Sequence, residues 1–305
     1  MSAIPSAVES AAVERSDTPW RRFAAAYAES RIAVAALVVL VAIIVMALSA
    51  PWISPQNPYD LAQLDIMDAR LPPGEQSATG MTFVLGSDDQ GRDMLSAIFY
   101  GLRISLGVGI SATLVAVSIG LALGLVAAYA GGRIDALIMR VVDLQLSFPA
   151  ILVALVLLAV VGQGVDKIII ALIMVQWAYY ARTVRSSALV ERNKEYVEAA
   201  RCLRLSPARI LFRHILPNCL PPLIVVATVQ VAHAIALEAT LSFLGLGLPI
   251  TQPSLGLLIA NGFSYLLSGK YWISFYPGLA LLLTIMSINL VADQLRDVLN
   301  PRLAR

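Results

Sequence analysis

The chain has 305 residues, of which 58% are apolar and only 14% charged, and its formal net charge is +2. A soluble domain carries about 25% charged residues, so this composition excludes an ordinary soluble fold and points to a chain immersed in lipid. The small net charge leaves no electrostatic footprint for nucleic acid.

Residues 1–30 show no sustained apolar pattern and read as a mobile cytoplasmic tail, with Trp20 and Arg21-Arg22 suited to an interfacial anchor. Residues 32–50 contain no charge and only Ser49 is polar. At the helical rise they cover roughly 28 Å, close to the hydrocarbon thickness of a bilayer. The segment exceeds the about 7–15 residues of a signal-peptide core, which predicts a retained span rather than a cleaved leader. Residues 51–100 form a large external segment rich in Pro and Asp, with Asp60, Asp65, Asp68, Glu75, Asp88, Asp89 and Asp93. Met94, Leu95, Ile98 and Phe99 follow at helical spacing and predict an amphipathic helix lying on the outer surface.

Further apolar runs at 106–130, 144–162, 168–181, 220–237 and 275–292 complete the fold class: an all-α polytopic membrane protein with six transmembrane helices. Gly120 and Gly124 make a small-xxx-small pair in the second run, which predicts a close helix crossing with a partner the sequence does not specify. Pro149 interrupts the third run, and Pro221-Pro222 mark the entry to the fifth. The chain divides into a tail (1–30), a first helix with its external segment (31–104) and a core domain (105–305) containing a loop at about 191–217.

With the N-terminus inside, 17 of the 22 basic residues fall on inner segments; Arg70, Arg92, Arg103, Lys167 and Lys270 lie outside. The positive-inside rule therefore places both termini and the 191–217 loop in the cytoplasm. In that loop Tyr196, Ala199, Ala200 and Leu203 fall on one helical stripe. Ser206-Pro207 reads as a stop followed by an N-cap and first helical position, so a short helix, a turn and a second helix running to Pro217 are expected. A short helix outside the bilayer with an apolar stripe needs a partner to bury it.

Chemistry is harder to place. No nucleophile elbow and no Cys/His cluster is visible, so neither catalytic nor metal-ligating residues are assigned. Cys202 and Cys219 read as small apolar packing residues. Gly269-Lys270 lacks the rest of a phosphate loop, so ATP hydrolysis, where used, must come from a partner. Asp143 and Asp293 read as interfacial carboxylates beside Arg140 and Arg296. Glu238 either lines a translocation path or hydrogen-bonds a neighbouring helix.

The 196–217 segment reads Y-V-E-A-A-R-C-L-R-L-S-P-A-R-I-L-F-R-H-I-L-P and resembles the E-A-A loop of bacterial ABC importer permeases. Glu198, Ala199, Ala200, Leu216 and Pro217 match that pattern; Arg204 stands where the family has glycine. Glycine there permits a positive φ, so the turn is differently shaped, or strained by on the order of 1–3 kcal/mol and compensated, or the match is loose by a residue. L-G-S-D-D-Q-G-R-D (85–93), G-G-R-I-D-A-L-I-M-R-V-V-D (131–143), H-I-L-P-N-C-L-P-P-L-I-V (214–225), L-S-F-L-G-L-G (241–247) and L-R-D-V-L-N-P-R-L (295–303) resemble the dipeptide/oligopeptide/nickel branch in order and spacing.

The resemblance implies a type I, binding-protein-dependent permease subunit in the bacterial inner membrane. Its implied partners are a second homologous permease, two ATP-binding subunits holding ATP and Mg, and a periplasmic or lipid-anchored substrate-binding protein; no cofactor is implied in this chain. Tyr196, Val197, Glu198, Ala199, Ala200, Arg201, Leu203 and Arg204 become the ATPase-coupling loop, and peptides the cargo class. The competing class is a stand-alone proton- or ion-coupled carrier using Asp143, Glu238 or Asp293.

Overall fold

A computed structural model describes residues 19–77 and 80–299. The expected tail at 1–18 lies outside the described residues, while Pro19–Ala28 form a first helix, α1. Ser30 caps the next helix, α2 (Arg31–Ile53), by accepting the Ala33 amide hydrogen at 3.3 Å. Val38 and Leu48 of α2 point outward, whereas Ala33, Ala36, Ile43, Ala47 and Ala50 are buried. Small residues on one face let α2 pack closely on its neighbours.

Asp93 caps the longest helix, α3 (Met94–Ala130), through the Ser96 amide hydrogen at 2.8 Å. The expected surface helix beginning at Met94 is absorbed into it. Met94 and Ile98 are buried against α2, α9 (Leu216–Phe243) and α11 (Trp272–Leu299), because the folded external segment and these helices cover the face expected to meet lipid headgroups.

The expected third span is not straight. Phe148-Pro149 separates α4 (Gly132–Ser147) from α5 (Ala150–Val161), and the two helices meet at 89°. Proline disfavours helical geometry in the preceding residue, and Phe148 is accordingly extended (φ −95°, ψ 142°). Then come α6 (Val165–Arg192), α7 (Glu195–Cys202) and α8 (Pro207–Ile210). The expected helix stop at Pro217 does not occur. α8, a π-turn at Leu211–Ile215 and α9 run on as one apolar rod, Pro207–Phe243, with Pro217, Pro221 and Pro222 inside it. α10 (Leu255–Phe263) and α11 complete the chain.

Among the described residues, four helices are long and apolar enough to cross a membrane, and a fifth span results when the bent pair counts as one. α6, the expected fourth span, is long enough, but Gln176, Tyr179, Tyr180 and Arg182 dilute its apolar run. It lies inside the bundle, packed on α3, α5 and α9. Among the described residues there is no named strand.

Gly120 and Gly124 find their partner in α6. A Cβ on Gly120 would sit 2.5 Å from Tyr180 Cβ and 2.7 Å from the Trp177 carbonyl oxygen; one on Gly124 would sit 2.6 Å from the Ala181 carbonyl oxygen. The missing side chains are therefore what allows α3 and α6 to touch along their backbones.

Candidate functional site

The 191–217 loop joins two inner helices and stands at the end of the bundle. Local sequence explains α7: Glu195 and Glu198 occupy its first turn and Arg201 its last, matching the helix dipole. Val197 and Ala200 are its buried residues, and they join Val184 and Ala188 of α6, Ile210 of α8, and Ile215, Cys219 and Leu223 in one apolar cluster. The expected stripe is thus split. Ala200 turns inward, Ala199 and Leu203 face outward with Leu203 75% exposed, and Tyr196 lies between the two faces. Cys219 packs as expected, but Cys202 is exposed on the outer surface of α7. Glu198, Arg201 and Arg204 are exposed beside the outward apolar residues.

The turn after α7 keeps the backbone geometry of a glycine turn. Arg204 has φ +52°, its amide donates to the Arg201 carbonyl at 2.9 Å, and the Leu205 amide donates to the Ala200 carbonyl at 3.2 Å. This is the Schellman closure of a helix, with Leu205 packed against the same cluster as Ala200. Of the three alternatives posed by the sequence, the left-handed turn carrying a side chain is the one adopted. Arg204→Gly is expected to raise stability by about 1 kcal/mol, from relief of the left-handed conformation offset by the backbone entropy of glycine. A thermal melt of the purified protein in detergent checks it, and a lower melting temperature would show that the Arg204 side chain contributes more than the strain costs.

A polar knot fastens α7 to its neighbours. Glu191, near the end of α6, accepts from Lys194 Nζ at 2.6 Å and from the Tyr196 hydroxyl. Asn218 of α9 donates to the Tyr196 hydroxyl at 3.1 Å and to the His214 carbonyl at 2.8 Å. Burial opposes the Glu191 charge, but the hydrogen bonds from Lys194 and Tyr196 and the Lys194 charge outweigh it and hold the carboxyl below its usual range. Burial and the neighbouring carboxylate push Tyr196 up to about 12, so it remains a phenol at neutral pH. Arg192 reaches the other way and donates to the Ala128 carbonyl at the end of α3 at 2.7 Å. Beside the knot a cleft of about 890 Å³ opens, with Pro221, Pro222 and Val225 on its apolar wall and Lys194, Asp293 and Arg296 among its charged residues.

The remaining candidates fall elsewhere. Glu238 is fully buried: Ser105 of α3 and Ser242 each donate to its carboxyl oxygens at 2.8 Å. These bonds tie Glu238 to α3 and to the next turn of its own helix. Asp143 pairs with Arg182 of α6 at 2.5 Å rather than with Arg140 on its own helix. Among the described residues no group of His, Cys, Asp and Glu is arranged to hold a metal ion. The Tyr196–Asn218 contact was not read from the sequence, because a π-turn lies between the two residues and shifts the helical register.

The fold and the loop can be set beside known proteins. Residues 120–305 match the family model of binding-protein-dependent transport system inner membrane components, and residues 18–73 match the N-terminal membrane domain of oligopeptide transport permease C. The chain is 35% identical over 286 residues to the di/tripeptide transport system permease protein DppC of Pseudomonas aeruginosa, covering 94% of this chain and 93% of that protein. It is 40% identical over 287 residues to the dipeptide transport system permease protein DppC of Escherichia coli K12, covering 94% of each. A chain of the MetNI methionine ABC transporter, in an inward-facing conformation, superposes with a TM-score of 0.56 at 19% identity, covering 68% of this chain and 98% of that one. That likeness bears on the fold alone.

Proposed function

We propose a function from the premise that this chain belongs to the binding-protein-dependent transport system inner membrane components, in the peptide branch of ABC importer permeases. It is an integral inner-membrane protein and the membrane-spanning subunit of an ATP-driven peptide importer. In this reading a second, homologous permease completes the translocation path. Two partner ATPase subunits hold ATP and Mg, and a periplasmic or lipid-anchored binding protein delivers cargo. Both termini and the 191–217 loop face the cytoplasm.

The observation that carries the coupling role is the outer face of α7. Ala199 and the C-cap residue Leu203 are exposed on a helix already anchored from behind by Val197 and Ala200. Burial of a leucine side chain in a partner groove contributes about 1.5–3 kcal/mol, enough to seat the helix without fixing its register. Glu198, on the flank of that face, sets register and partner choice. Closure of the ATPase pair moves α7, and the bundle changes state only as far as ATP and loaded binding protein favour one state over the other.

Copurification in mild detergent from the native membrane tests the assembly: a second permease and ATPase subunits are expected with the tagged chain. Recovery of the chain alone, under conditions that keep a control transporter whole, would oppose the reading. Glu198→Lys is expected to leave the complex assembled while lowering transport per ATP hydrolysed at least about fivefold. An unchanged ratio in proteoliposomes would remove Glu198 from the coupling surface. The stand-alone carrier gains no support, because residues 120–305 match the binding-protein-dependent inner membrane component and the relatives described above are peptide transport permeases.

A further inference from the structure

We infer that Tyr196 is a positioning residue for coupling: its hydroxyl ties α7 to both α6 and the α9 rod, and displacement of α7 reaches the bundle through it. The inference rests on the importer reading above. α7 has eight residues and buries only Val197 and Ala200. Two small apolar contacts locate a helix but do not resist its rocking, because dispersion contacts carry little directionality. The Tyr196 hydroxyl supplies the direction. Its single proton goes to the Glu191 carboxylate on α6, and its oxygen accepts from Asn218 on α9. The charge-assisted bond to Glu191 is the stiffer of the two.

The place of attachment on the rod gives the contact its meaning. Asn218 also holds the His214 carbonyl at 2.8 Å, and the Tyr196 ring lies beside the His214 ring, 6.4 Å between centroids. His214 belongs to the π-turn Leu211–Ile215, the one segment of the rod with a widened hydrogen-bond ladder. Such turns store a local register change and recur at functional positions in helices. Tyr196 therefore grips the rod beside its π-turn. The exposed residues Ala199 and Leu203 and the grip of Tyr196 thus sit on one short helix and its C-cap.

The test uses the whole complex with its binding protein in proteoliposomes, with tritiated dialanine as the cargo probe. Uptake and ATP hydrolysis are measured together. Tyr196→Phe keeps the ring and removes the hydroxyl; Asn218→Leu removes the other arm. Each is expected to retain ATP hydrolysis and to lower dialanine uptake per ATP at least about fivefold, the lower end of ordinary coupling free energies. That ratio is insensitive to how much protein folds, so a purely structural role would not move it.

A wild-type ratio in either variant that assembles overturns the inference and leaves the importer reading intact. Failure of both variants to assemble assigns the knot to folding and overturns it as well. Loss of assembly in Tyr196→Phe with a lowered ratio in Asn218→Leu supports it. Absence of ATP-driven uptake by the wild-type complex would count against the peptide-importer reading itself, and the inference would fall with it.

Discussion

Gly120→Leu is expected to abolish accumulation of folded protein, and Gly120→Ala to lower the melting temperature. The first atom added at Gly120 meets the Trp177 carbonyl oxygen at 2.7 Å and the Ala181 nitrogen at 2.8 Å. Both belong to helix backbone, so no rotamer change relieves the contact, and α3 must move away from α6. Overpacking in a close-packed interior costs about 1–3 kcal/mol for small additions and more when backbone must shift. That is a large share of a total stability of about 5–15 kcal/mol. Separating α3 from α6 also disturbs the buried Thr113–Gln176 contact (3.4 Å) and the Gln176 bond to the Gln230 carbonyl (3.1 Å), which tie α3, α6 and α9 together. Gly107 is the control: an added Cβ there meets nothing within 4 Å, so Gly107→Ala is expected to be neutral. Size-exclusion profiles of fluorescent fusions report all three variants. A normal profile for Gly120→Leu would show that the α3–α6 crossing tolerates separation.

The second large effect belongs to the external segment. Arg92 and Asp88 are fully buried and paired through Nε and Oδ2 at 2.5 Å; Arg92 Nη1 donates to the Ile250 carbonyl at 3.3 Å, and Nη2 has no hydrogen-bond partner. Asp88→Ala removes the carboxylate ion-paired with a guanidinium that water does not reach, at an expected cost of about 3–5 kcal/mol. The double variant Asp88→Ala with Arg92→Met is expected to recover part of that loss, since the uncompensated charge leaves with it. Thermal melts of the three proteins decide the matter. A double variant no more stable than Asp88→Ala would mean that the loss comes from the backbone caps Asp88 supplies to Gln90 and Arg92 rather than from the stranded charge.

Much of this architecture is legible in the sequence because lipid imposes simple rules. A backbone without water must bond to itself, so the apolar runs at 32–50 and 275–292 translate directly into α2 and α11. Ser206-Pro207 announced the start of α8, and Arg204 in a glycine position announced a turn that proves left-handed. The misses share a cause. Met94 and Ile98 show the same spacing whether their face meets headgroups or folded protein, so periodicity does not reveal that α3 begins there. Pro217 read as a helix end and Pro221-Pro222 as the entry to the next span, yet a helix inside a bundle tolerates all three where its freed carbonyls find other partners. The α7 stripe combined inward and outward residues because eight residues are too few to fix a helix rotation from pattern alone. The exposed face of α7 was expected, whereas the grip of Tyr196 on Asn218 depends on a π-turn that no local signal marks.

α3 and the α9 rod run through the same bundle at equal length, 37 residues each, and differ in compliance. At the helical rise each spans about 55 Å, well beyond a hydrocarbon slab of about 30 Å. α3 contains no proline, is held at one end by the Asp93 cap and at the other by Arg192 on its last carbonyls, and lies against α6 backbone to backbone. It behaves as a mast. The rod from Pro207 to Phe243 carries three prolines beyond its first residue, and a π-turn, the features at which helices bend. Two members of equal length but unequal stiffness, joined side by side, share a load unevenly: the soft one deforms while the stiff one keeps the frame. A change of shape in the bundle is therefore expected to bend the rod along the wall of the 890 Å³ cleft while the mast keeps its length.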